Sequence, residues 1–480
     1  MKTPFDSLRF SAQALAAAAG GKVVRSGGAE YAGLVTDSRE AYSHCIFLAL
    51  RGEHTDGHRY ILSAAERGAR CILAEELTKE VSDALPPDCT FILVPDTLAA
   101  LGNIAKWYKN RTAPRVAAVT GSVGKTTTKQ MIYSVVSRAV PTLCTEGNFN
   151  SELGLPLTLL RLEDFHRAAV LETGMNHAGE LSRLSHICEP DIAVITNIGT
   201  SHIENLGSRE GIRDAKLELL DGMKPGGTVI LNGDEPLLTE KRAEISARGF
   251  HVITFGISHA DVDFRAENLR LTAYDCTFDL RDTHTDRLFR DLHIPAAGRH
   301  NVGNACAAFL CGQCFAMKED EIRAGLSHFE NLRQTVVPVG EQTFLEDCYN
   351  ASPESVKAEL AVLSALAGEK HGRALAVLGD MLELGEQGPA LHRQVGEAAA
   401  ASGTSLLFTF GPGALEIAAG AKAAGMDDGQ IISFPDADDP QALADCIREA
   451  MLPGDVILFK ASHGMALERV TALLKKRTEP

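Results

Sequence analysis

The sequence predicts an α/β protein of three domains, spanning residues 1–95, 96–332 and 333–480. Three observations predict it. Short apolar strands alternate with helical segments along the chain, a rhythm that builds mostly parallel sheets covered by helices on both faces. A chain of 480 residues is too long for one core. The apolar run Val116 to Val119 passes through a glycine turn into a helix-compatible segment, which opens a βαβ unit.

The small N-terminal α/β domain alternates short elements, such as a strand over Cys45 to Leu50 and a helix over Tyr60 to Arg67. An amphipathic helix capped by Ser11 is expected near the start, where Asp6 and Arg9 precede the run Ala16 to Ala19 and argue against a signal peptide. The central domain opens with a helical stretch through Trp107. Strands are expected at Ala168–Leu171, Ile192–Thr196 and Thr228–Leu231. Alternating segments at Leu269–Leu280 and Leu288–Ile294 suggest an antiparallel extension, and a helix over Asn301 to Met317 closes the domain. From Arg333 onward, strands at Thr343–Glu346, Ala374–Leu378, Leu406–Phe410 and Val456–Phe459 describe a second doubly wound, Rossmann-like unit.

Composition narrows the function. The apolar fraction of 45% and charged fraction of 23% are those of a soluble globular protein. A net charge of −16 argues against nucleic acid and anionic membranes as partners, so an anionic substrate must be met by local basic residues or metal ions. No run reaches the ~18 apolar residues of a membrane-spanning helix. Eleven scattered cysteines read as free thiols of a reducing cytoplasm. Cys311 and Cys314 form a C-x-x-C, read as two packed helix positions and not as a redox pair.

Residues 117–129 carry the most chemistry. Glycines let backbone N–H groups close around a polyphosphate, a helix N-terminus adds partial positive charge, and Lys125 adds a full one. Thr126 places a hydroxyl where a Mg²⁺ on the phosphates would sit. The central domain is therefore expected to be a phosphate-loop, ATPase-like sheet, although Gly121-x-x-Gly124-Lys125-Thr126 is two residues shorter than the usual loop. Glu172, His202 and Lys216 follow at strand ends or on a helix, where a parallel sheet collects its ligands. Histidine is an unusual Mg²⁺ ligand and suits a second metal site. Taken singly, the three are equally a strand-end carboxylate, a loop histidine and a solvated lysine. Asn301 and Asn304 lie one helical turn apart and either read a purine edge or cap and pack the helix. Asn148, Asn150 and Glu152 form a polar loop. Asp347 and Asn350 follow one strand of the third section, and Asp380 to Glu386 follow the next.

Taken together, these segments resemble the Mur ligases, ATP-dependent enzymes that add amino acids to the UDP-linked muramoyl peptide of bacterial cell walls. Thr120-Gly-Ser-Val-Gly-Lys-Thr-Thr127 is similar to the family's shortened phosphate loop. Thr196-Asn-Ile-Gly-Thr-Ser-His202, Ala215-Lys-Leu-Glu218 and Gly298-Arg-His-Asn-Val-Gly-Asn304 match further motifs in order. Asn148-Phe-Asn150, Asp347-x-Tyr-Asn-Ala-Ser-Pro353 and Leu378-Gly-Asp-Met-Leu-Glu-Leu-Gly-Glu386 resemble the branch that joins D-alanyl-D-alanine to UDP-N-acetylmuramoyl-tripeptide. Thr36-Asp-Ser-Arg39 and Asp56-Gly-His58 resemble its N-terminal uridine-nucleotide domain.

The resemblance implies roles. Lys125, Lys216 and His202 would be catalytic. Gly121, Ser122, Gly124, Lys125, Thr126 and Thr127 would cradle ATP, with Asn301 and Asn304 on adenine and Arg333 and Asp347 on phosphates and ribose. Thr126, Glu172, His202 and a carbamylated Lys216 would hold two Mg²⁺ ions. Thr36, Asp37, Ser38 and Arg39 would meet the UDP end, and Asn148, Asn150, Tyr349, Asn350 and Asp380 the peptide substrates. A cytoplasmic monomer is expected. Two positions depart from the family pattern: His463 stands where arginine is expected, and Arg333 lies in Leu332-Arg-Gln334 and not in a Gly-Arg pair. The sister ligase for a diamino acid would carry an Asp-Asn-Pro-Arg motif, which is missing. The Asp380 loop and the N-terminal motifs argue against folylpolyglutamate ligase. A phosphate-loop switch or kinase would turn over nucleotide without a peptide acceptor.

Overall fold

The computed structural model describes residues 11–27, 30–31, 33–52, 55–259, 261–331 and 333–476. Asp6, Arg9 and Leu332 lie outside the described residues. Three sheets follow one another along the chain, in the α/β class the sequence predicts. The first has five strands in the order Lys22–Arg25, Thr90–Leu93, Cys71–Ala74, Ile46–Leu48, Leu34–Val35, all parallel except the first pair. Ser11 caps the helix Ala12–Ala19 as expected, its Oγ accepting from the Ala14 N–H at 3.2 Å.

The middle sheet has nine strands. Thr142–Cys144, Ala168–Glu172, Arg115–Thr120, Ile192–Ile195, Thr228–Asn232, His251–Gly256 and Phe264–Leu271 run parallel; Cys276–Asp282 and Leu288–Ile294 continue it antiparallel. Side chains alternate between its faces. Val116, Ala118, Ala169 and Leu171 enter one core, and Ala117, Val119, Ala168 and Val170 the other. The segment Leu269–Leu280 is not one alternating run but parts of two strands. The Thr272 hydroxyl accepts from the Tyr274 and Asp275 N–H groups, at 3.1 and 3.0 Å, and turns the chain between them.

The third sheet, in the order Thr335–Val339, Gln342–Glu346, Val456–Lys460, Ala374–Gly379, Leu406–Phe410, Ile431–Phe434, is parallel except for its first pair. Both of its faces are buried, Leu345, Ala376 and Leu458 on one side and Phe344, Val377 and Phe459 on the other.

The sheets are joined unequally. The helix Thr97–Thr112 packs against both the first sheet's helix Ala12–Ala19 and the middle helices Gly154–Leu159 and Glu180–Cys188. One continuous apolar core runs through it from Leu15 to Leu171. Tyr108 OH donates to the Leu162 carbonyl, and Lys109 Nζ to Glu189, both at 2.7 Å. From the middle section, Ala273 and Ala297 enter the core of the third sheet. Polar groups make the rest of that joint: His300 Nε2 stands 4.0 Å from the buried Glu359 carboxylate, and the Ala273 N–H donates to Glu369 Oε2 at 3.4 Å. Within the third unit, Gln334 Nε2 donates to both oxygens of Glu359, and buried Lys460 pairs with Asp347 at 2.5 Å.

Two outcomes test this packing. The helix Glu319–Ser327 lies against Lys125–Val136, and a Cβ on Gly325 would collide with the Val135 backbone. Gly325→Ala should destabilise the protein by about 1–3 kcal/mol, read as a lowered thermal midpoint. At the polar joint, burial raises the Glu359 carboxyl from 4.5 to about 7. Between about pH 4.5 and 7 the folded state holds a proton there that the unfolded state releases, so this group makes stability fall as pH rises. Glu359→Gln should therefore remove a downward contribution to the thermal midpoint from pH 5 to 6.5; a profile parallel to the wild type contradicts this.

Candidate active site

The strand Arg115–Thr120 ends in the glycine turn, and the helix Lys125–Val136 begins at once. Gly121 (φ 152°) and Gly124 (φ 80°) hold backbone angles that side chains rarely adopt, and a Cβ at Gly124 would lie 2.9 Å from Asn304 Oδ1. The neighbouring strand end clamps the turn. Thr196 Oγ1 and Asn197 Nδ2 donate to the Val123 carbonyl at 2.6 and 3.1 Å, Val123 N–H donates to Asn197 Oδ1, and Gly199 N–H to Ser122 Oγ. Thr196 and Asn197, both part of the Thr196–His202 motif, hold the loop. Lys125 Nζ bonds the Gly121 and Ser122 carbonyls at 2.8 and 3.1 Å.

A cavity of about 710 Å³ opens above these strand ends. It collects Gly121, Ser122, Gly124, Lys125, Thr126, Thr127, Asn148, Asn150, Glu172, His202, Lys216, Asn301, Asn304, Arg333, Asp347, Tyr349 and Asn350. Most of the site residues read from the sequence therefore converge.

Glu172, 2% exposed, ends its strand with Oε1 accepting from Asn150 Nδ2 at 2.8 Å, while buried Oε2 has no hydrogen-bond partner. Lys129, fully buried on the phosphate-loop helix, sits 3.8 Å from that oxygen and donates to the Thr145 carbonyl at 2.7 Å. Sequence reading missed Lys129, although it ends the motif. Lys216, also 2% exposed, makes no hydrogen bond or ion pair with any described residue. Burial first, and then the Lys125 charge, push its ammonium well below the usual lysine range. Burial also lowers Lys125, with Arg333 adding to the shift and Glu172 and Glu383 opposing it.

The two asparagines are bonded in series. Thr128 Oγ1 donates to Asn304 Oδ1, Asn304 Nδ2 to Asn301 Oδ1 at 3.0 Å, and Asn301 Nδ2 to the Ala297 carbonyl. The hydrogen bonds are those of a pair packing the helix start, and both residues also line the cavity.

Three side chains of the third unit reach the middle sheet. Arg333 Nη2 donates to Thr126 Oγ1 at 2.7 Å, its guanidinium 3.2 Å above the Tyr349 ring centre. Thr200 Oγ1 donates to Glu354 at 3.1 Å, and His202 Nδ1 stands 2.7 Å from Glu383 Oε2. Neither glutamate was singled out from sequence, since nothing local marks a contact across the joint. His463 stacks near Tyr349, ring centres 5.6 Å apart.

Some expected site residues lie elsewhere. Asp380 is buried, and its carboxylate accepts from the Gly413 and Ala414 N–H groups at 3.2 and 2.6 Å; it caps a turn of the third sheet and does not line the cavity. Thr36, Asp37, Ser38 and Arg39 follow the strand Leu34–Val35 on the first sheet, also away from the cavity. There Asp37 caps Ser38–Glu40 and binds Arg39, which holds its carboxyl down to about 2. The cysteines are free thiols; Cys311 is buried in its helix and Cys314 partly so. Among the described residues no helix is long and apolar enough to cross a membrane.

Known proteins share this build. Family models match for the Mur ligase middle domain over residues 119–312, the Mur ligase glutamate ligase domain over 332–463 and the Mur ligase family catalytic domain over 30–109. A UDP-N-acetylmuramoyl-tripeptide–D-alanyl-D-alanine ligase of Bacillus subtilis is 37% identical over 441 residues, covering 91% of this chain and 92% of that protein. The crystal structure of MurF from Acinetobacter baumannii aligns with a TM-score of 0.88 at 30% identity, covering 98% of this chain and 99% of that one. MurF from Thermotoga maritima in complex with ADP aligns with a TM-score of 0.80 at 27% identity, covering 93% and 97%. With three family models in order along the chain and a relative this similar over nearly all of it, the chain belongs to the Mur ligase family.

Proposed function

We propose that this protein is an ATP-dependent ligase that joins D-alanyl-D-alanine to the C-terminal carboxylate of UDP-N-acetylmuramoyl-tripeptide, through an acyl phosphate, in peptidoglycan precursor synthesis. The observation that carries this reading is the convergence of Lys125, Glu172, His202, Lys216 and Arg333 on one cavity between two sheets. Its relatives' names supply the substrates, and the ADP complex of a 27% identical relative supports the nucleotide. Residues 1–95 would take the UDP end near Thr36 to Arg39, 96–332 ATP, and 333–480 the dipeptide. The free thiols agree with a cytoplasmic site of action.

The residues fit Mg²⁺. Glu172 offers an unbonded buried oxygen, Thr126 a hydroxyl and His202 a ring nitrogen on the same cavity. No third His, Cys, Asp or Glu joins Glu172 and His202 among the described residues. A neutral Lys216 amine can add to CO2, forming an N–C bond and releasing one proton; the carbamate then supplies the missing oxygen ligand. Bound Mg²⁺ would neutralise charge on the β- and γ-phosphate oxygens.

The chain's own groups position the reactants. Lys125 would exchange the Gly121 and Ser122 carbonyls for phosphate oxygens, and Arg333 would add its guanidinium from the facing unit. Asn301 and Asn304 would meet adenine, Asp347 the ribose, and Asn148, Asn150, Tyr349 and Asn350 the peptide substrates. The tripeptide carboxylate oxygen bonds to the γ-phosphorus as its bond to ADP breaks. The dipeptide ammonium first gives one proton to solvent; the resulting amine bonds to the acyl carbon, phosphate leaves with the electron pair of the C–O bond, and the nitrogen's second surplus proton passes to the phosphate.

Phosphate release should require UDP-N-acetylmuramoyl-tripeptide and rise with D-alanyl-D-alanine; release indifferent to both refutes the ligase reading. Lys125→Ala should lower it by about a thousandfold or more, checked by the same assay. Intact-protein mass measured at neutral pH should show the mass of one CO2 on Lys216, lost on acidification and missing from Lys216→Ala.

A further inference from the structure

Six carboxylates line the large cavity, and five of them are engaged. Asp234 accepts from the Ile257, Ser258 and His259 N–H groups, and Asp347 pairs with Lys460. Glu354 takes the Thr200 hydroxyl, and Glu359 the Gln334 amide. Glu172 is held by Asn150 and belongs to the proposed metal site. Glu180, half-buried, is the sixth. Its Oε2 accepts from the Asn176 N–H at 2.8 Å, while its Oε1 makes no hydrogen bond and no ion pair with any described residue. Arg183, one helical turn further on, does not serve it, because its guanidinium forks onto both oxygens of Glu152. Among the described residues Glu180 joins no group of His, Cys, Asp or Glu able to hold a metal.

The fold sets Glu180 at the reacting end of the cavity. Residues 173–179 carry the chain straight from Glu172 into the helix Glu180–Cys188, and Gly174, Met175 and Asn176 on that connection line the cavity too. Glu218, two residues past Lys216, accepts from the Gly179 N–H with its two oxygens at 2.8 and 2.9 Å. The start of the helix is thereby tied to the segment that carries Lys216. In the ligase reaction the tripeptide's terminal carboxylate lies at this end, against the γ-phosphoryl, and the side chain of the third residue branches from the adjoining carbon. A group on a four-carbon stem reaches roughly 6 Å from that carbon, far enough to meet the wall of the same pocket. A carboxylate oxygen left unengaged there is the partner for a charge-assisted hydrogen bond from an ammonium group. We propose that Glu180 is a specificity-determining residue that takes an ammonium group on the side chain of the tripeptide's third residue. This deepens the ligase reading and rests on it.

The test measures binding of UDP-N-acetylmuramoyl-tripeptides to the full-length protein by calorimetry without ATP, in two matched pairs. One pair ends in lysine or norleucine, the other in diaminopimelate or 2-aminopimelate, so that within each pair a single side-chain amine differs. In at least one pair the wild type should bind the amine-bearing member roughly five- to fiftyfold more tightly. Glu180→Gln keeps an oxygen for the Asn176 N–H. It should weaken that member by the same factor and leave the amine-free one near wild type, so that the difference within the pair disappears. Equal binding within both pairs by the wild type overturns the assignment. So does a Glu180→Gln variant that weakens both members alike, which would mean the residue only shapes the helix start. A higher KM for D-alanyl-D-alanine in Glu180→Gln, with tripeptide binding untouched, would place the dipeptide ammonium there and overturns it as well. In each of these cases tripeptide-dependent phosphate release by the wild type still upholds the ligase reading. A wild type that binds none of the four, and releases phosphate regardless of them, refutes both.

Discussion

Two cations, Lys125 and Arg333, face one cavity with the buried Lys216 amine beside them, and no carboxylate among the described residues forms an ion pair with any of the three. In a protein of net charge −16, such a concentration of uncompensated positive charge is costly to hold together. The surrounding structure manages the cost by small means. Lys125 turns back on two carbonyls, Arg333 lies on an aromatic face, and Lys216 is pushed toward its neutral form. The clamp of Thr196 and Asn197 on the turn and the burial of Glu172 beside Lys129 keep these groups from drifting to better partners. A polyphosphate is the ligand that relieves Lys125 and Arg333 together, while a neutral Lys216 needs no such partner.

What the sequence revealed follows from how local each feature is. The glycine turn, Lys125 and Thr126 are contiguous, and Glu172 and His202 follow strand ends, where a parallel sheet gathers its ligands. Beyond the first sheet, the strands Thr142–Cys144, His251–Gly256, Thr335–Val339 and Ile431–Phe434 escaped notice. Thr142–Cys144, Thr335–Val339 and Ile431–Phe434 are partly exposed sheet edges, and Pro338 further disguises one of them; His251–Gly256 is interior but starts on exposed and half-buried positions. Central strands such as Ala374–Gly379 are buried on both faces and read plainly.

Side-chain direction was harder to read. Asp380 sits after a strand, where a ligand contact is a fair expectation, but its short carboxylate reaches the N–H groups of Gly413 and Ala414 first. Asn301 and Asn304 were legible as a pair, yet only the fold shows that Thr128 and Ala297 complete the chain of hydrogen bonds. Glu354 and Glu383 lay beyond reach because their partners are on another sheet. A one-dimensional pattern marks what a segment does to its own backbone far better than what it does to a distant loop.

The helix Thr97–Thr112 has a mechanical meaning. Because one apolar core passes through it, separating the first sheet from the middle one would wet a broad hydrophobic surface, and that penalty grows with every square ångström exposed. Separating the third sheet mainly trades polar contacts for water, along with the small faces of Ala273 and Ala297. The molecule is thus a stiff two-sheet plate carrying a cover whose seal is made of exchangeable contacts. Parting the third unit would therefore cost the molecule less than parting the plate that holds the phosphate loop.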